Sequence, residues 1–149
     1  MTERRRQIPI PLPLAVWERD GLAAALAKAG LPTDDIESPG TLFWRFENDD
    51  VPVGFGGLEI FGNQALLRSV VTLPPVRNRG IGTAIVESLE AEARIRNCRA
   101  IWLVTDKAAA FFRQRGYRAC ERSEAPEQIR EAAPFANPAA AAAMMKQLD

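Results

Sequence analysis

Apolar residues recur every fourth position at Ile81, Ile85, Leu89 and Ala93, which predicts a helix from Gly82 to about Asn97 with one buried stripe. Upstream the pattern changes. Thr41–Glu47, Val53–Phe61 and Ala65–Leu73 are aromatic, β-branched runs separated by Asn48-Asp49-Asp50 and Gly62-Asn63-Gln64, and they read as a three-strand antiparallel meander. Gly54, Gly56 and Gly57 weaken the middle strand unless something approaches its backbone closely. Downstream, the apolar run Ala100–Val104 reads as a strand, Lys107–Arg115 as a helix closed by Gly116, and Tyr117–Glu121 as another strand.

The ends are less regular. Prolines 9, 11 and 13 in the segment Gln7–Val16 share one parity, so they remove N–H donors from one side only. That fits an edge strand, or equally an extended arm outside any sheet. Asp20 is positioned as N-cap of a helix ending at Gly30, and Thr33 as the cap of a second short helix through Glu37, broken by Ser38-Pro39-Gly40. Near the other end, Ala125–Ala132 reads as helical, and Ala139–Leu148 is helical by propensity. There is no internal repeat, and the 149 residues suit one domain able to bury a real core.

Composition narrows the chemistry. Lys plus Arg (19) equals Asp plus Glu (19), which argues against bulk electrostatic binding to nucleic acid or to a membrane surface. No apolar run approaches the ~20 residues of a membrane span. The basic start, Met1–Arg6, is not followed by a signal core and reads as a tail without fixed structure. Cys98 and Cys120 have no metal spacing and suggest a reducing compartment, so a cytoplasmic location is expected. Histidine is absent, which excludes a histidine base, a Ser-His-Asp triad and histidine-ligated metal. No metal is expected.

One stretch carries recognisable chemistry. Arg77-Asn78-Arg79-Gly80-Ile81-Gly82 lies between a strand and the long helix. A helix N-terminus offers unpaired N–H groups and partial positive charge, glycine lets backbone approach an anion, and arginine adds forked donors. Such a turn can cradle a pyrophosphate. It lacks the Gly-Lys-Ser/Thr ending of a P-loop and the spacing of a dinucleotide fold. The bland reading is a plain tight turn.

The span Ser69–Val86 resembles the acetyl-CoA motif of the GNAT family of N-acetyltransferases, R/Q-x-x-G-x-G/A after a strand and a proline-containing bend. Arg77, Gly80 and Gly82 take its fixed positions, and Phe111–Tyr117 resembles the family's second signature. More narrowly, G-L-P-T-D-D, F-W-R-F and A-L-L-R-S-V-V-T-L-P look like acetyltransferases associated with arsenic-resistance genes and related to amino-acid N-acetyltransferases. The resemblance implies an α/β (in some schemes α+β) fold in a single domain over residues 1–149. Its sheet would be mixed, mostly antiparallel, with about seven strands flanked by helices. It makes Ala141–Leu148 a seventh strand despite the alanines.

It further implies acetyl-CoA as acyl donor and a small-molecule amine as acceptor. Backbone amides of Asn78, Arg79, Gly80, Ile81, Gly82 and Thr83 would meet the pyrophosphate. Val70, Val71 and Thr72 would pair with the pantetheine arm and hold the thioester carbonyl. Without histidine, a carboxylate acting through water is expected to take the amine's proton. Glu59, alone in an apolar run, is the candidate base or amine contact; an ordinary surface position is the competing reading. Arg68 would clamp an acceptor carboxylate, or simply pair with Glu59 across the strands. Ser69, expected to point opposite to Arg68, could donate a hydrogen bond. Where the family often has an acidic tyrosine, this chain has Phe112, counted here with the cofactor-binding residues. Tyr117 is expected to be a core aromatic. Thr105 and Asp106 either cap a helix or touch the cofactor. Two other functions stay open: a non-catalytic acyl-CoA-binding module, and an acetyltransferase for peptides or proteins. Exposed sheet edges make a homodimer plausible.

Overall fold

A computed structural model describes residues 9–31, 33, 40–73, 80–136 and 142–149. The elements run in the order β1 (Ile10–Pro13), α1 (Arg19–Lys28), β2 (Thr41–Asn48), β3 (Val51–Phe61), β4 (Gln64–Thr72), α2 (Ile81–Ile95), β5 (Ala100–Thr105), α3 (Ala109–Arg113), β6 (Arg118–Cys120), α4 (Glu127–Arg130), α5 (Ala133–Ala136) and β7 (Ala142–Gln147). They build one seven-stranded sheet in the order β1-β2-β3-β4-β5-β7-β6. Among the described residues only β4 and β5 pair in parallel, and every other pairing is antiparallel.

The meander forms as its pattern predicts. Asp49 and Asp50 close the β2–β3 hairpin with φ of 49° and 65°, the positive values that a two-residue turn needs and that aspartate tolerates. The proline-rich segment is an edge strand: β1 pairs with β2, and the Leu14 N–H, of the parity that keeps its donors, bonds the Phe43 carbonyl at 2.8 Å.

Two helical layers cover the sheet. On one face α2 lays down the whole predicted stripe: Ile81 is 4% exposed, and Ile85, Leu89 and Ala93 are fully buried, against Trp44, Leu58, Leu67, Leu103 and Met144. Each large aliphatic side chain so buried contributes about 1.5–3 kcal/mol. Here the three β3 glycines find their cause. A Cβ on Gly54 would lie 2.5 Å from Ile85 Cδ1, one on Gly56 2.8 Å from Leu89 Cδ1, and one on Gly57 2.6 Å from the Phe43 ring. What approaches the strand is the protein's own core. The opposite face carries two separate patches. Leu14, Leu22, Leu26, Phe43, Phe55 and Val71 pack around α1, while Leu66, Trp102, Ile129, Phe135 and Met145 pack around α4 and α5.

Several boundaries differ from expectation. Asp20 is not an N-cap: a 3-10 turn at Val16–Glu18 runs straight into α1, which puts Asp20 in the helix's first turn. Gly30 ends α1 as expected, with φ 73°. The helix expected over Lys107–Arg115 is shorter (α3), because the Thr105 hydroxyl accepts the Ala108 N–H at 3.0 Å and so holds the preceding residues in a capping turn. The strand expected over Tyr117–Glu121 shrinks to β6, and the helix over Ala125–Ala132 is replaced by the short α4 and α5. The alanine-rich segment is a strand, since β7 lies between β5 and β6 and pairs with both. Ladder partners on both sides outweigh helical propensity. The expected second short helix, the basic tail over residues 1–6 and the Pro74–Arg79 bend lie outside the described residues.

Candidate active site

The sheet opens at its centre. β4 pairs with β5 only through Gln64↔Ala100, Ala65↔Ile101 and Leu66↔Trp102, yet β4 continues to Thr72 and β5 to Thr105. Beyond Leu66 the two strands diverge and β5 continues against β7 alone. The residues expected to meet the pantetheine arm, Val70, Val71 and Thr72, belong to the diverging part of β4. A strand that has parted from its neighbour can accept another extended chain.

A bulge sits at the point of divergence. Phe55 faces Val71 and Gly57 faces Arg68, so one residue of β3 spans two of β4. Ser69 takes up the extra length with φ 59°. A left-handed conformation costs a non-glycine residue about 1–2 kcal/mol, which packing on both sides must hold in place. The bulge also corrects the expected orientation of Ser69. It does not point opposite to Arg68; its Oγ accepts the Arg68 Nε–H at 3.4 Å.

The start of α2 closes the mouth of this opening. Gly80 is the N-cap, with φ 76° and ψ 8°, a conformation glycine adopts without strain. The first bond of the helix is Ala84 N–H to the Gly80 carbonyl at 3.0 Å, so the amides of Ile81, Gly82 and Thr83 have no helical acceptor. Ile81 can contribute only backbone, because its side chain is in the core. Three elements converge here: a Cβ on Gly82 would lie 3.3 Å from the Phe111 ring and 3.8 Å from Thr72 Cγ2. Arg115 stacks over Phe111 at 3.7 Å, and its Nε and Nη2 donate to Thr83 Oγ1. Phe111 and Arg115 belong to the segment that resembles the second signature, but the sequence assigned neither a role at the glycine turn. Phe112, expected at the cofactor, is 6% exposed and packs edge-on between Phe111 and Tyr117. Arg77, Asn78 and Arg79 lie outside the described residues.

On the α1 face, polar groups fill the seam between the two apolar patches. Thr41 lies directly across from Glu59, and Glu59 directly across from Leu66, the last β4 residue paired to β5. Arg68, one step along β4 on the same face, donates from Nη1 to Glu59 Oε1 at 3.3 Å, with side-chain exposures of 4% and 15%. The cross-strand pairing of the two is therefore real. Two guanidinium groups lie over the Phe43 ring, that of Arg68 at 5.6 Å and that of Arg19 at 5.2 Å from its centre, close enough for attraction to the ring face. Arg19 Nη2 also donates to the Thr41 carbonyl at 3.4 Å. Thr41 is 4% exposed, and its Oγ1 has no hydrogen-bond partner among the described residues. A buried hydroxyl left unpaired costs about 1–3 kcal/mol. Thr41 and Arg19 have no sequence signature, since only the strand register brings them beside Glu59.

Tyr117 sits in the core, away from the seam. It is 2% exposed and donates to Glu90 Oε2 at 2.9 Å; Lys146 Nζ meets both Glu90 oxygens at 3.2 and 3.1 Å. Burial first, then the Glu90 charge, holds its hydroxyl well above the ordinary tyrosine range, so it is a poor proton donor or acceptor near neutrality. Burial likewise raises the thiols of Cys98 and Cys120, both unbridged. Among the described residues no group of three or more Cys, Asp or Glu side chains could hold a metal ion, and no helix is long and apolar enough to cross a membrane.

With this geometry in view, comparison with known proteins is direct. The family model described as Acetyltransferase (GNAT) family matches residues 6–117. The curated protein "Uncharacterized protein YxbD" of Bacillus subtilis (strain 168) is 36% identical over 93 residues, 60% of this chain and 48% of that protein; this chain thus matches about half the length of that relative. Among solved structures, N-acetylglutamate synthase from Neisseria gonorrhoeae, complexed with coenzyme A and N-acetyl-glutamate, superposes with a TM-score of 0.81 at 15% identity, covering 97% of this chain and 36% of that one. Rv2747 from Mycobacterium tuberculosis, in complex with CoA and NLQ, gives 0.72 at 18% identity, covering 94% and 99%. At these identities the structures speak for the fold, and the family model speaks for the lineage: the chain belongs to the acetyltransferase (GNAT) family, the class of N-acetyltransferases that draw on acyl-CoA.

Proposed function

We propose that this chain moves an acetyl group from acetyl-CoA to the primary amine of a small, anionic, amino-acid-like acceptor. The observation that carries the reading is the divergence of β4 from β5 after Leu66↔Trp102, with the α2 N-terminus at its mouth and the Arg68–Glu59 pair at its side. Family membership supplies the donor. The amides of Gly80, Ile81, Gly82 and Thr83, with Arg77, Asn78 and Arg79 before them, receive the pyrophosphate, and Thr83 is held in place by Arg115. Val70, Val71 and Thr72 align the thioester arm, and a backbone N–H beyond the Ser69 bulge faces the carbonyl oxygen, where its bond strengthens as negative charge develops.

The acceptor enters from the α1 face. Glu59 takes a proton from its ammonium group through water, the amine lone pair forms the new C–N bond, the C–S bond breaks, and the second proton of the new amide nitrogen passes through water to the departing thiolate. The departing sulfur needs no side-chain acid, since a thiolate is a good leaving group near neutrality; that accommodates Phe112 in the core. Arg68 binds the acceptor's acid, with Ser69 Oγ steadying the guanidinium. The neighbours solved with N-acetyl-glutamate and with NLQ are consistent with such an acceptor.

The test is release of free thiol from acetyl-CoA against a panel of L-amino acids and short peptides. Turnover is expected on free amino acids, and Glu59→Gln should lower kcat about 10²–10⁴-fold with coenzyme A affinity by calorimetry unchanged. Unaltered turnover in that variant removes the assignment of the base. Coenzyme A binding without thiol release on any amine removes the catalytic reading.

A further inference from the structure

We infer that Thr41 is a specificity-determining residue of the acceptor site, its hydroxyl donating to an oxygen of the acceptor's anionic group. This rests on the acceptor reading above and adds to it a residue with no counterpart in the glycine turn or the second signature. The large majority of buried hydroxyls in folded proteins are paired, and one that is not asks for an explanation, a functional partner among them. Thr41 Oγ1 is such a group: the residue is 4% exposed, and no described residue meets the hydroxyl.

Its position says which ligand. Thr41 is the direct cross-strand partner of Glu59, so both side chains rise from the same face of the sheet. That face is the seam where α1 and its apolar partners end and the α4–α5 patch has not begun. Arg19 and Arg68 lie over Phe43 beside it. An acceptor whose amine meets Glu59 therefore brings its remaining polar group among one hydroxyl and two guanidinium groups. Their common partner is an oxyanion, most simply a carboxylate, which accepts from all three. Arg19 Nη2 donates to the Thr41 carbonyl at 3.4 Å, which keeps its guanidinium beside this position.

Thr41→Val keeps the shape and removes the hydroxyl; Thr41→Ser restores it. The full chain and both variants are assayed for thiol release from saturating acetyl-CoA with L-amino acids and with the matching L-amino-acid amides, which lack the α-carboxylate. Thermal unfolding is recorded in parallel. For the best amino acid of the panel, Thr41→Val should raise the acceptor KM about tenfold or more while kcat and the acetyl-CoA KM stay within twofold. Thr41→Ser should return it to near the parent value. The corresponding amide should not distinguish the parent from Thr41→Val, and the Tm of Thr41→Val should equal or exceed the parent's, because no internal bond is lost. An unchanged acceptor KM in Thr41→Val overturns the proposal with the acceptor reading intact. So does an equal penalty on acid and amide with a lowered Tm, the mark of a purely structural hydroxyl. Absence of turnover on every amino acid in the parent protein removes the acceptor reading, and the Thr41 assignment with it.

Discussion

Replacing Tyr117 by Phe separates a core role from a catalytic one in a family where a tyrosine near this point often serves as an acid. The ring's packing against Phe112 (centroids 5.4 Å apart) is kept, and only the hydroxyl is lost. That hydroxyl donates at 2.9 Å to Glu90, a carboxylate whose side chain is 7% exposed and whose other partner is Lys146. A hydrogen bond to a charged group contributes about 1.5–3 kcal/mol. For a domain of this size, 1 kcal/mol moves Tm by about 2–4 °C, so Tyr117→Phe should lower Tm by roughly 3–12 °C. The kcat for thiol release, measured well below the new transition, should stay within about twofold of the parent value. There is also a pH signature. The tyrosine proton is held more tightly in the folded chain than in the unfolded one. Its contribution is therefore complete below an unfolded pKa of about 10, and falls by about 1.4 kcal/mol per pH unit above it. Urea titrations from pH 8 to 11 should show that extra slope in the parent and not in Tyr117→Phe, the lysines cancelling between the two. A large fall in kcat with an unmoved Tm, or identical pH slopes, would refute the argument.

Two further expectations concern the centre of the sheet. Alanine at Gly56 meets the flexible tip of Leu89, an overpacking that costs about 1–3 kcal/mol, whereas alanine at Gly54 meets the Val71 carbonyl at 2.6 Å, which only a shift of backbone can relieve. Gly54→Ala should therefore be the more damaging in urea denaturation and should also impair coenzyme A binding, because it pushes on the diverging end of β4; equal effects would contradict the contact geometry. Ser69→Gly should leave stability unchanged or raise it by up to about 1 kcal/mol in the same assay, since glycine accepts φ 59° without strain; a clear loss of stability would mean that the serine hydroxyl, rather than the backbone shape, maintains the bulge.

Much of the framework was legible from side-chain periodicity. The four-residue stripe of α2, the meander, and the parity of the β1 prolines each express a local rule that the tertiary structure did not override. The glycine turn was legible for the same reason, because a helix start beside glycine is written in consecutive residues. What stayed hidden depended on register. Nothing local puts Thr41 opposite Glu59, or Arg19 over Phe43. The bulge at Ser69 occurs inside a strand-like run with no glycine, proline, asparagine or aspartate to mark it, and it reverses the orientation that strict alternation assigns. Glu90 looked like one of several helix-surface glutamates until Lys146, fifty-six residues later, was brought beneath it by β7. Asp20 misled because the 3-10 turn at Val16–Glu18 had already begun the helix.

The placement of β7 bears on how the protein is made. During synthesis β5 and β6 emerge well before the strand that belongs between them, and each can complete its ladder only when residues 142–147 leave the ribosome. Until then β5 presents an apolar edge, Ile101 to Val104, with no partner on that flank. A nascent chain stalled before residue 142 is therefore exposed to misassociation, and slowing translation across residues 142–147 should lower soluble yield more than slowing it across β1 to β4.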